Sequence, residues 1–390
     1  MTKKTFNQWR YDTVAIGGSG DVYQFTSEAY VSVYLGWGVS EAANASNNRV
    51  IVDGTIVGDP SYGGIESLGN RFALDIGQSG IVMGGIGVSS AGAKAQIDNL
   101  GYIIASTDYG VIASGNGFSL HNGGLIEGVG GVDVSGDNVT LVNAAGGLIK
   151  SSGRGIFIES ASGYDTKTIN HGVIMGAAGQ YGYDVGESND TLVNTGRISG
   201  SVEMEGGDDV IDNRGGHIAG SLTGGTGDDQ FITDDDTYFY GDIGRDGVKS
   251  TASYVLTNTV EWLQLLGKAN IAGTGNDGNN RLTGNSGNNA LSGLVGADRL
   301  DGRQGNDRLL GGDDADIFVF ATGYGRDRIR DFAAADTIDV SRWQAISSFS
   351  DLKSHHAQDH GADVWLVAGA DTLIIEGLNV ADLKGAYFDI

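Results

Sequence analysis

Five nine-residue units, repeated without a gap, constrain the fold of this chain more than any other feature. The units begin at Gly275, Gly284, Gly293, Gly302 and Gly311. Glycine holds positions 1 and 4 with one replacement, Asn or Asp holds position 6, and Leu or Phe holds position 8. Because glycine tolerates positive φ, six residues can form a tight turn, and the other three can form a short strand that buries its apolar side chain. The array therefore predicts a parallel β-roll.

Position 6 gives these turns the chemistry of a cation site. Backbone carbonyls and stacked carboxylates would supply the oxygen ligands that Ca²⁺ prefers. An isolated upstream copy, Gly224–Ile232, fits all nine positions. The predicted calcium-site residues are the turn glycines and the polar residues of these units: Gly224, Gly225, Gly227, Asp229, Asn280, Asn289, Gly293, Gly296, Asp298, Gly302, Gly305, Asp307, Gly311, Gly312, Asp313, Asp314 and Asp316. Without the ion the carboxylates would repel one another, so we expect calcium binding and folding to be coupled.

Two stretches beside the strongest units depart from this pattern. Asn280 and Asn289 place amides at position 6, so we expect the turns at 275–292 to bind calcium weakly or only to stack asparagines. Upstream, acidic residues cluster between Glu203 and Asp236. Since glycine–aspartate turns occur within that cluster, we expect further calcium turns there in preference to a merely solvated acidic face.

The segment from about Val248 to Ile390 resembles the C-terminal part of RTX proteins. The stretch from Ser253 to Asn276 is similar to the strand-rich lead-in of that family, and Phe318–Ser341 resembles the segment that closes its roll. Asp371–Gly377 and Tyr387–Ile390 resemble its end, where the uncleaved secretion signal lies. The resemblance implies export through the type I secretion machinery of a Gram-negative bacterium, followed by calcium-driven folding outside the cell or at its surface. It covers a little over a third of the chain and leaves the first 235 residues unassigned.

A second repeat, with a period near 23 residues, runs through the first half. Each unit places a small polar residue or glycine before an alternating apolar strand, at Asp53, Gly77, Asn99, Asn122, Asn143, Asn170, Asn194 and Asn213. Alternation with a period of two and enrichment in β-branched residues indicate short strands. The spacing predicts eight coils of a right-handed parallel β-helix whose asparagines form a stacked amide ladder at one corner.

These patterns predict an all-β chain, a right-handed parallel β-helix followed by a calcium-binding parallel β-roll. The expected domains are an aromatic-rich N-terminal cap (1–45), the β-helix (46–235), a strand-rich spacer (236–272), the β-roll (273–319), and a C-terminal cap with the secretion signal (320–390). An aromatic sugar-binding platform is the alternative interpretation of residues 1–45.

The charge and composition exclude several classes of protein. The chain has 24 basic and 49 acidic residues, a net charge of −25, so its surface repels nucleic acid and anionic membranes and attracts cations. It has no cysteine, hence no disulfide framework. No apolar run is long enough to span a membrane, and the first ten residues lack the apolar core of a conventional signal peptide.

The sequence shows no catalytic motif of the enzymes that are secreted in this way. It contains neither His-Glu-x-x-His nor Gly-x-Ser-x-Gly, and His355, His356 and His360 fit a solvated loop better than a metal site. The polar residues that stand out in the β-helix do not fall on one face by their spacing: Asp133, Lys150, Arg154, Glu159, Asp165, His171, Tyr181, Tyr183 and Asp184. We therefore expect a protein that is not an enzyme.

The expected function is structural: a secreted calcium-binding protein of the cell surface or extracellular matrix, of the surface-layer, filament or adhesin type. Such a protein would self-associate, with a cell-surface glycan or matrix polysaccharide as a further partner. The alternatives are a polysaccharide lyase or C5-epimerase acting on a polyuronate through the β-helix, and a glycan-binding adhesin that uses Trp37 or Tyr181–Tyr183.

Overall fold

A computed structural model describes residues 2–159 and 164–390 and shows an all-β protein built of parallel strands. The chain divides into two compact units, Met1–Gly227 and Asp228–Ile390. Each unit is a solenoid in which successive coils of the chain stack in register. The predicted fold class, parallel β-helix and β-roll, is thereby confirmed in its architecture.

In the first unit, the described residues form ten coils of three strands each. The strands are β1 Lys3–Phe6, β2 Trp9–Arg10, β3 Val14–Ile16, β4 Val22–Phe25, β5 Tyr30–Ser32, β6 Val39–Glu41, β7 Arg49–Val52, β8 Thr55–Val57, β9 Gly63–Ser67, β10 Ala73–Ile76, β11 Ile81–Gly84, β12 Ile86–Ser90, β13 Gln96–Asn99, β14 Tyr102–Ala105, β15 Tyr109–Ala113, β16 Ser119–Asn122, β17 Leu125–Gly128, β18 Gly130–Ser135, β19 Thr140–Asn143, β20 Leu148–Ser151, β21 Ile156–Glu159, β22 Lys167–Asn170, β23 Val173–Met175, β24 Tyr181–Val185, β25 Thr191–Asn194, β26 Arg197–Ser199, β27 Ser201–Glu203, β28 Val210–Asp212, β29 His217–Ile218 and β30 Leu222–Thr226. The first, second and third strands of the coils form sheets 1, 2 and 3, respectively.

The core of this unit consists of columns of identical or similar apolar side chains. In sheet 2, for example, Ile103, Ile126 and Ile149 stand directly above one another and are fully buried. Each strand thus buries its inward side chains on the copies in the neighbouring coils. This explains why the sequence repeats once per coil.

The predicted asparagine ladder is confirmed at one corner. Each Nδ2 donates to the Oδ1 of the asparagine in the next coil, over distances of 2.6–2.9 Å. The ladder joins Asn99, Asn122, Asn143, Asn170, Asn194 and Asn213. In the two preceding coils, Val52 and Ile76 hold the column position, so the predicted markers at Asp53 and Gly77 are one residue out of register.

Residues 1–45 are predicted as a separate cap, but their described part, 2–45, forms coils of the solenoid itself. Strand β1 pairs with β4, and β4 pairs with β7, in register. Tyr23 and Phe25 fill the interior positions that aliphatic residues hold elsewhere. The repeat is hidden there because aromatic side chains replace the aliphatic ones, and the described coils number ten where eight were predicted.

The second unit is a solenoid of two strands per coil, closed by a hairpin. Its strands are β31 Gln230–Thr233, β32 Phe239–Ile243, β33 Gly247–Ser250, β34 Tyr254–Val255, β35 Trp262–Leu265, β36 Ala272–Thr274, β37 Arg281–Thr283, β38 Ala290–Val295, β39 Arg299–Asp301, β40 Arg308–Asp313, β41 Ile317–Val319, β42 Arg326–Ile329, β43 Thr337–Asp339, β44 Ala357–His360, β45 Asp363–Ala368, β46 Asp371–Ile375 and β47 Phe388–Asp389. Short helical turns occupy Phe349–Asp351, Leu352–His356, Val380–Asp382 and Gly385–Tyr387.

Successive nonapeptides alternate between the two sheets of this roll. Strands β37, β39 and β41 lie in the first roll sheet, whereas β38, β40 and β42 lie in the second. A unit therefore stacks on the unit 18 residues away, as Asn280 does on Asp298. Leu282, Leu300 and Phe318, all at position 8, form one of the buried columns.

The boundaries of this unit differ from the predicted ones. Residues 236–272, predicted as a spacer, contribute β33 and β35, which stack in register on β37 and so belong to the roll. Downstream, β42 and β43 continue the roll into the predicted C-terminal cap. The antiparallel pairs β44–β45 and β45–β46 then close the second roll sheet. The predicted β-helix limit at 235 lies beyond the boundary at Gly227.

Candidate calcium sites

The turns of the aspartate-bearing nonapeptides share one backbone conformation. Position 2 and position 4 both have positive φ: 88° and 110° at Leu294 and Gly296, and 65° and 143° at Arg303 and Gly305. In the last unit, Gly312 has 108° and Asp314 has 81°, so Asp314 takes the part of the missing glycine. Side-chain-bearing residues adopt this region rarely, and their presence here indicates a turn shape that the surrounding structure imposes.

Each position-6 carboxylate joins two coils through one oxygen. Oδ1 of Asp298 accepts a hydrogen bond from the backbone N–H of Asn280 at 2.7 Å, and Oδ1 of Asp316 accepts one from Asp298 at 2.9 Å. On the other side of the roll, Oδ1 of Asp307 accepts from the N–H of Asn289 at 2.7 Å. The ladder of carboxylates therefore fixes the register of the turns.

The second oxygen of each carboxylate is buried without a partner. Asp298, Asp307 and Asp316 are each 1% exposed, and their Oδ2 atoms form no hydrogen bond in the structure. A Cβ atom at Gly293 would lie 2.0 Å from Oδ2 of Asp298. Position 1 is glycine because this oxygen occupies the space of a side chain.

Burial leaves these carboxyl groups poorly suited to carry charge alone. Burial, together with a smaller contribution from neighbouring acidic groups, raises the pKa of Asp298 to about 7 and that of Asp316 to about 6. Burial also raises the pKa of Asp307 and of Asp327, whose carboxyl groups interact across adjacent coils. None of the basic side chains that the structure describes forms an ion pair with these carboxyl groups, so a cation beside the Oδ2 atoms would compensate their charge.

The donor set fits calcium. Among the described residues, no three Asp, Glu, His or Cys side chains gather into a cluster that could hold a metal. Ca²⁺ takes six to eight oxygen ligands, so a position-6 carboxylate would share the ion with backbone carbonyls of the turns. Asp298 and Asp316 on one side of the roll, and Asp307 on the other, are the residues that would hold such ions, and the bound ions would supply the positive charge that keeps the stacked turns together.

The two asparagine units are closed by hydrogen bonds within the protein. Nδ2 of Asn280 donates to Oδ1 of Asn276 at 3.0 Å, and Nδ2 of Asn289 donates to the carbonyl of Ile271 at 3.1 Å. Asn276 and Asn285, at position 2, do not have the positive φ of the aspartate units. These hydrogen bonds favour asparagine packing, the second of the two predicted alternatives.

The isolated upstream copy has the backbone of the aspartate turns. Gly225 and Gly227 have φ of 103° and 130°, and Asp229 is buried. In the last repeat, by contrast, Asp313 and Asp314 are exposed. The Oδ2 atom of Asp314 accepts a hydrogen bond from the N–H of Gly296 at 3.3 Å, so Asp314 supports the preceding turn on its side of the roll.

Sequence reasoning missed a further turn that follows the array. Gly323 and Gly325 have φ of 83° and 94°, and Asp327 is fully buried with an unpartnered Oδ2. Oδ1 of Asp327 accepts from the N–H of Asp307 at 2.9 Å, as the repeats do. The glycine, aspartate and isoleucine at 325, 327 and 329 keep the spacing of positions 4, 6 and 8, a signal that could have revealed it.

The structure brings some of the polar residues of the β-helix together. Asp133, Phe157 and Asp184 are neighbours on sheet 3, and the guanidinium of Arg154 lies 3.1 Å from Asp184 and over the rings of Phe157 and Tyr181. Glu159 ends β21 on the same sheet and its charge acts on Asp133. Three of the others lie apart from this cluster: Lys150 pairs with Glu127 on sheet 2, His171 contacts Thr195, and Tyr183 is in the core.

Comparisons with known proteins agree with this geometry for the repeats. Residues 274–309 and 292–324 match the RTX calcium-binding nonapeptide repeat (4 copies). No curated protein matches the chain. Among solved structures, the extracellular lipase LipA from Serratia marcescens is similar at 18% identity and a TM-score of 0.24, with 65% of this chain and 45% of the lipase chain covered. This chain thus spans less than half of that relative.

None of the helical turns in the described ranges has the length and apolar character that a membrane-spanning helix requires. The segment that the family model matches contains the turns with buried aspartates and a left-handed backbone. Residues 274–324 are RTX calcium-binding nonapeptide repeats, and calcium is the ion that this protein binds through them.

Proposed function

We propose that this protein is an extracellular structural protein that folds on calcium binding and then associates with copies of itself at a cell surface or in a matrix. The proposal includes export by type I secretion from a Gram-negative bacterium and assigns no catalysis to the chain. The observation that most supports it is the exposed edge of the first coil. Calcium binding would convert the unfolded, exported chain into the folded protein.

The first coil presents unpaired strand edges. Among the described residues, β1, β2 and β3 each pair with one strand, namely β4, β5 and β6. Thr26 donates its N–H to the carbonyl of Phe6 at 3.0 Å, and Val22 donates to that of Thr2 at 2.8 Å, so even-numbered residues of β1 face β4. The backbone groups of Lys3 and Thr5 consequently face away from it. Such an edge is a template for pairing with another chain.

Large apolar side chains are exposed in the first two coils. Trp9 and Tyr11 are 66% and 72% exposed, and Tyr34 and Leu35, in the next coil, are 86% and 76% exposed. Large exposed aromatic residues beside an unpaired strand mark an association surface. A second copy of this chain, with the same unpaired edge, is the partner that we propose.

Light scattering of the purified chain tests this proposal. We expect a mass well above that of the monomer in millimolar calcium and a Thr5→Pro variant that remains monomeric, because proline removes the N–H that faces the partner. Thr5→Ala is the matched control and should assemble like the unmodified chain. A compact monomer in calcium at high concentration, with no binding to cells, would contradict the assembly role.

A second candidate function is supported by the cluster around Arg154 on sheet 3. Burial raises the pKa of Asp184 to about 6 and also raises the pKa of Asp133, so two carboxyl groups suited to proton transfer flank a guanidinium and two aromatic rings. A guanidinium is suited to bind the carboxylate of a uronate. A polyuronate lyase or C5-epimerase would use such groups.

Incubation with alginate or pectate distinguishes this candidate. A lyase would produce absorbance from unsaturated ends, and an epimerase would shift the uronate NMR signals. Either signal should be lost in Arg154→Ala and kept in Arg197→Ala, an exposed arginine on sheet 2. If the unmodified protein gives neither signal, the enzymatic candidate is rejected.

A further inference from the structure

Residues Gly241–Lys249 form a turn and strand with the pattern of the repeats, although they lie outside the residues that match the family. Their sequence, GDIGRDGVK, has glycine at positions 1 and 4, Asp246 at position 6 and Val248 at position 8. No neighbouring segment repeats it at an interval of nine residues, so the pattern is not visible as part of an array.

The backbone of this turn has the conformation of the aspartate units. Asp242 and Gly244 have φ of 71° and 158°, compared with 65° and 143° at Arg303 and Gly305. An aspartate held in the left-handed region at position 2 is uncommon and indicates the same imposed turn shape. The asparagine turns, which stand between this turn and the aspartate units, do not share it.

The carboxylate of Asp246 is placed as those of the recognised sites are. Asp246 is fully buried, its Oδ1 accepts from the N–H of Asp229 at 2.8 Å, and its Oδ2 has no partner. A Cβ atom at Gly241 would lie 2.2 Å from this Oδ2, compared with 2.1 Å between Gly311 and Asp316. An unpartnered carboxylate oxygen therefore points into the space that the position-1 glycine leaves.

The charged groups that act on the carboxyl of Asp246 are acidic, namely Glu261, Asp228 and Asp242. Glu261, in the next coil, accepts the N–H of Asp246 through Oε2 at 2.7 Å, and Asp228 accepts the N–H of Arg245 at 3.0 Å. Among the described residues, no basic side chain forms an ion pair with Asp246. A cation is thus the partner missing from this turn, and a purely oxygen-lined turn selects Ca²⁺ over transition metals.

We propose that the turn Gly241–Asp246 is a calcium site separate from the recognised repeats. It follows from the calcium chemistry of the repeats and does not depend on the assembly role. The coils between it and Asp298 carry Glu261 and Asn280 at position 6, without the left-handed turn. The site should therefore fill independently of the array.

Counting bound ions tests the proposal on the full-length chain. In equilibrium dialysis against saturating calcium, we expect Asp246→Asn to bind one ion fewer than the unmodified protein. Asp277→Asn, at an exposed aspartate in an asparagine turn, is the matched control and should bind the full number. An unchanged number of ions in a folded Asp246→Asn protein would overturn the proposal.

Trp262 provides a second measurement that does not need a change in the site. It pairs in register with Gly247, the residue after Asp246. Terbium bound at the site should luminesce on tryptophan excitation, calcium should displace the signal, and Trp262→Phe should reduce it while leaving the number of bound calcium ions unchanged. If Trp262→Phe retains the whole calcium-displaceable signal, no ion binds beside it and the proposal fails, even where Asp246→Asn does not fold.

Discussion

Replacing Asp298 by asparagine should have opposite effects on the stability of the roll with and without calcium. The carboxylate of Asp298 is buried and its Oδ2 is unpartnered, and burial raises its pKa from 3.8 to about 7. A shift of about 3 units corresponds to about 4 kcal/mol at 1.36 kcal/mol per unit. The turn borders solvent and can relax, so we expect about half, ~2 kcal/mol, as the cost of the charged form at pH 8 without calcium.

The size of this effect depends on pH, and its sign depends on calcium. Because the folded pKa is raised, the folded state binds more protons than the unfolded one, and stability falls as pH rises from about 4 to about 7. Without calcium, Asp298→Asn should therefore be more stable than the unmodified chain at pH 8. The difference should be smaller at pH 5, where the unfolded carboxyl has ionised and the folded one is still protonated, and it should vanish below about pH 4, where both are protonated. In saturating calcium the variant should be the less stable, because it loses an ion ligand.

Urea denaturation with chelator or with calcium, at pH 5 and pH 8, measures all four conditions. Asparagine suits this test because Asn280 and Asn289 already hold position 6 in the same roll. Asp313→Asn, at an exposed aspartate of the last unit, controls for the change in net charge. Equal destabilisation of Asp298→Asn under chelator and under calcium would refute the reasoning, since it would show that the carboxylate is stabilising without the ion.

Three further outcomes follow from the geometry. Asn143→Ala should lower the free energy of unfolding of the first unit by about 2–3 kcal/mol, with or without calcium, because two buried amide hydrogen bonds of the ladder are lost. Thr140→Ala, on the exposed side of the same strand, should change this free energy little. Gly293→Ala should weaken calcium binding at least tenfold in calorimetric titration, because its Cβ would collide with Oδ2 of Asp298, and Gly278→Ala, which has 3.2 Å of clearance, should not. Chelation should increase amide hydrogen exchange in residues 293–330 and leave the asparagine ladder protected; equal exchange in both would contradict coupled folding of the roll.

The sequence predicts those parts of the fold in which one residue type marks each coil. The asparagines from 99 to 213 reveal both the period and the ladder because each needs an amide in the next coil. At the N-terminus, Tyr23 and Phe25 occupy core positions that aliphatic residues hold in the other coils, and the sequence alone does not show that they belong to the repeat. The sequence therefore predicts a cap in place of the first coils.

The calcium-site residues can be predicted from the sequence only where they recur at a regular interval. Asp298, Asp307 and Asp316 recur at intervals of nine, whereas Asp246 and Asp327 stand alone and are recognised by the shape of their turns. Arg154 and Asp184 meet because β21 and β24 are neighbours on sheet 3. The intervals between coils vary in that region, so spacing along the chain does not indicate which residues share a face.

Because successive nonapeptides alternate between the two roll sheets, the later strands keep their sheets only when an even number of repeats is added or removed. Deleting one unit, such as 284–292, would move every later strand to the opposite sheet, and β42, which pairs with β46 of the closing hairpin, would lose its place beside it. Deleting 18 residues, 275–292, would restore each strand to its own sheet and remove one coil. Repeat arrays of this kind should therefore lengthen and shorten by pairs of units, and a designer who wishes to change the number of calcium turns should do the same.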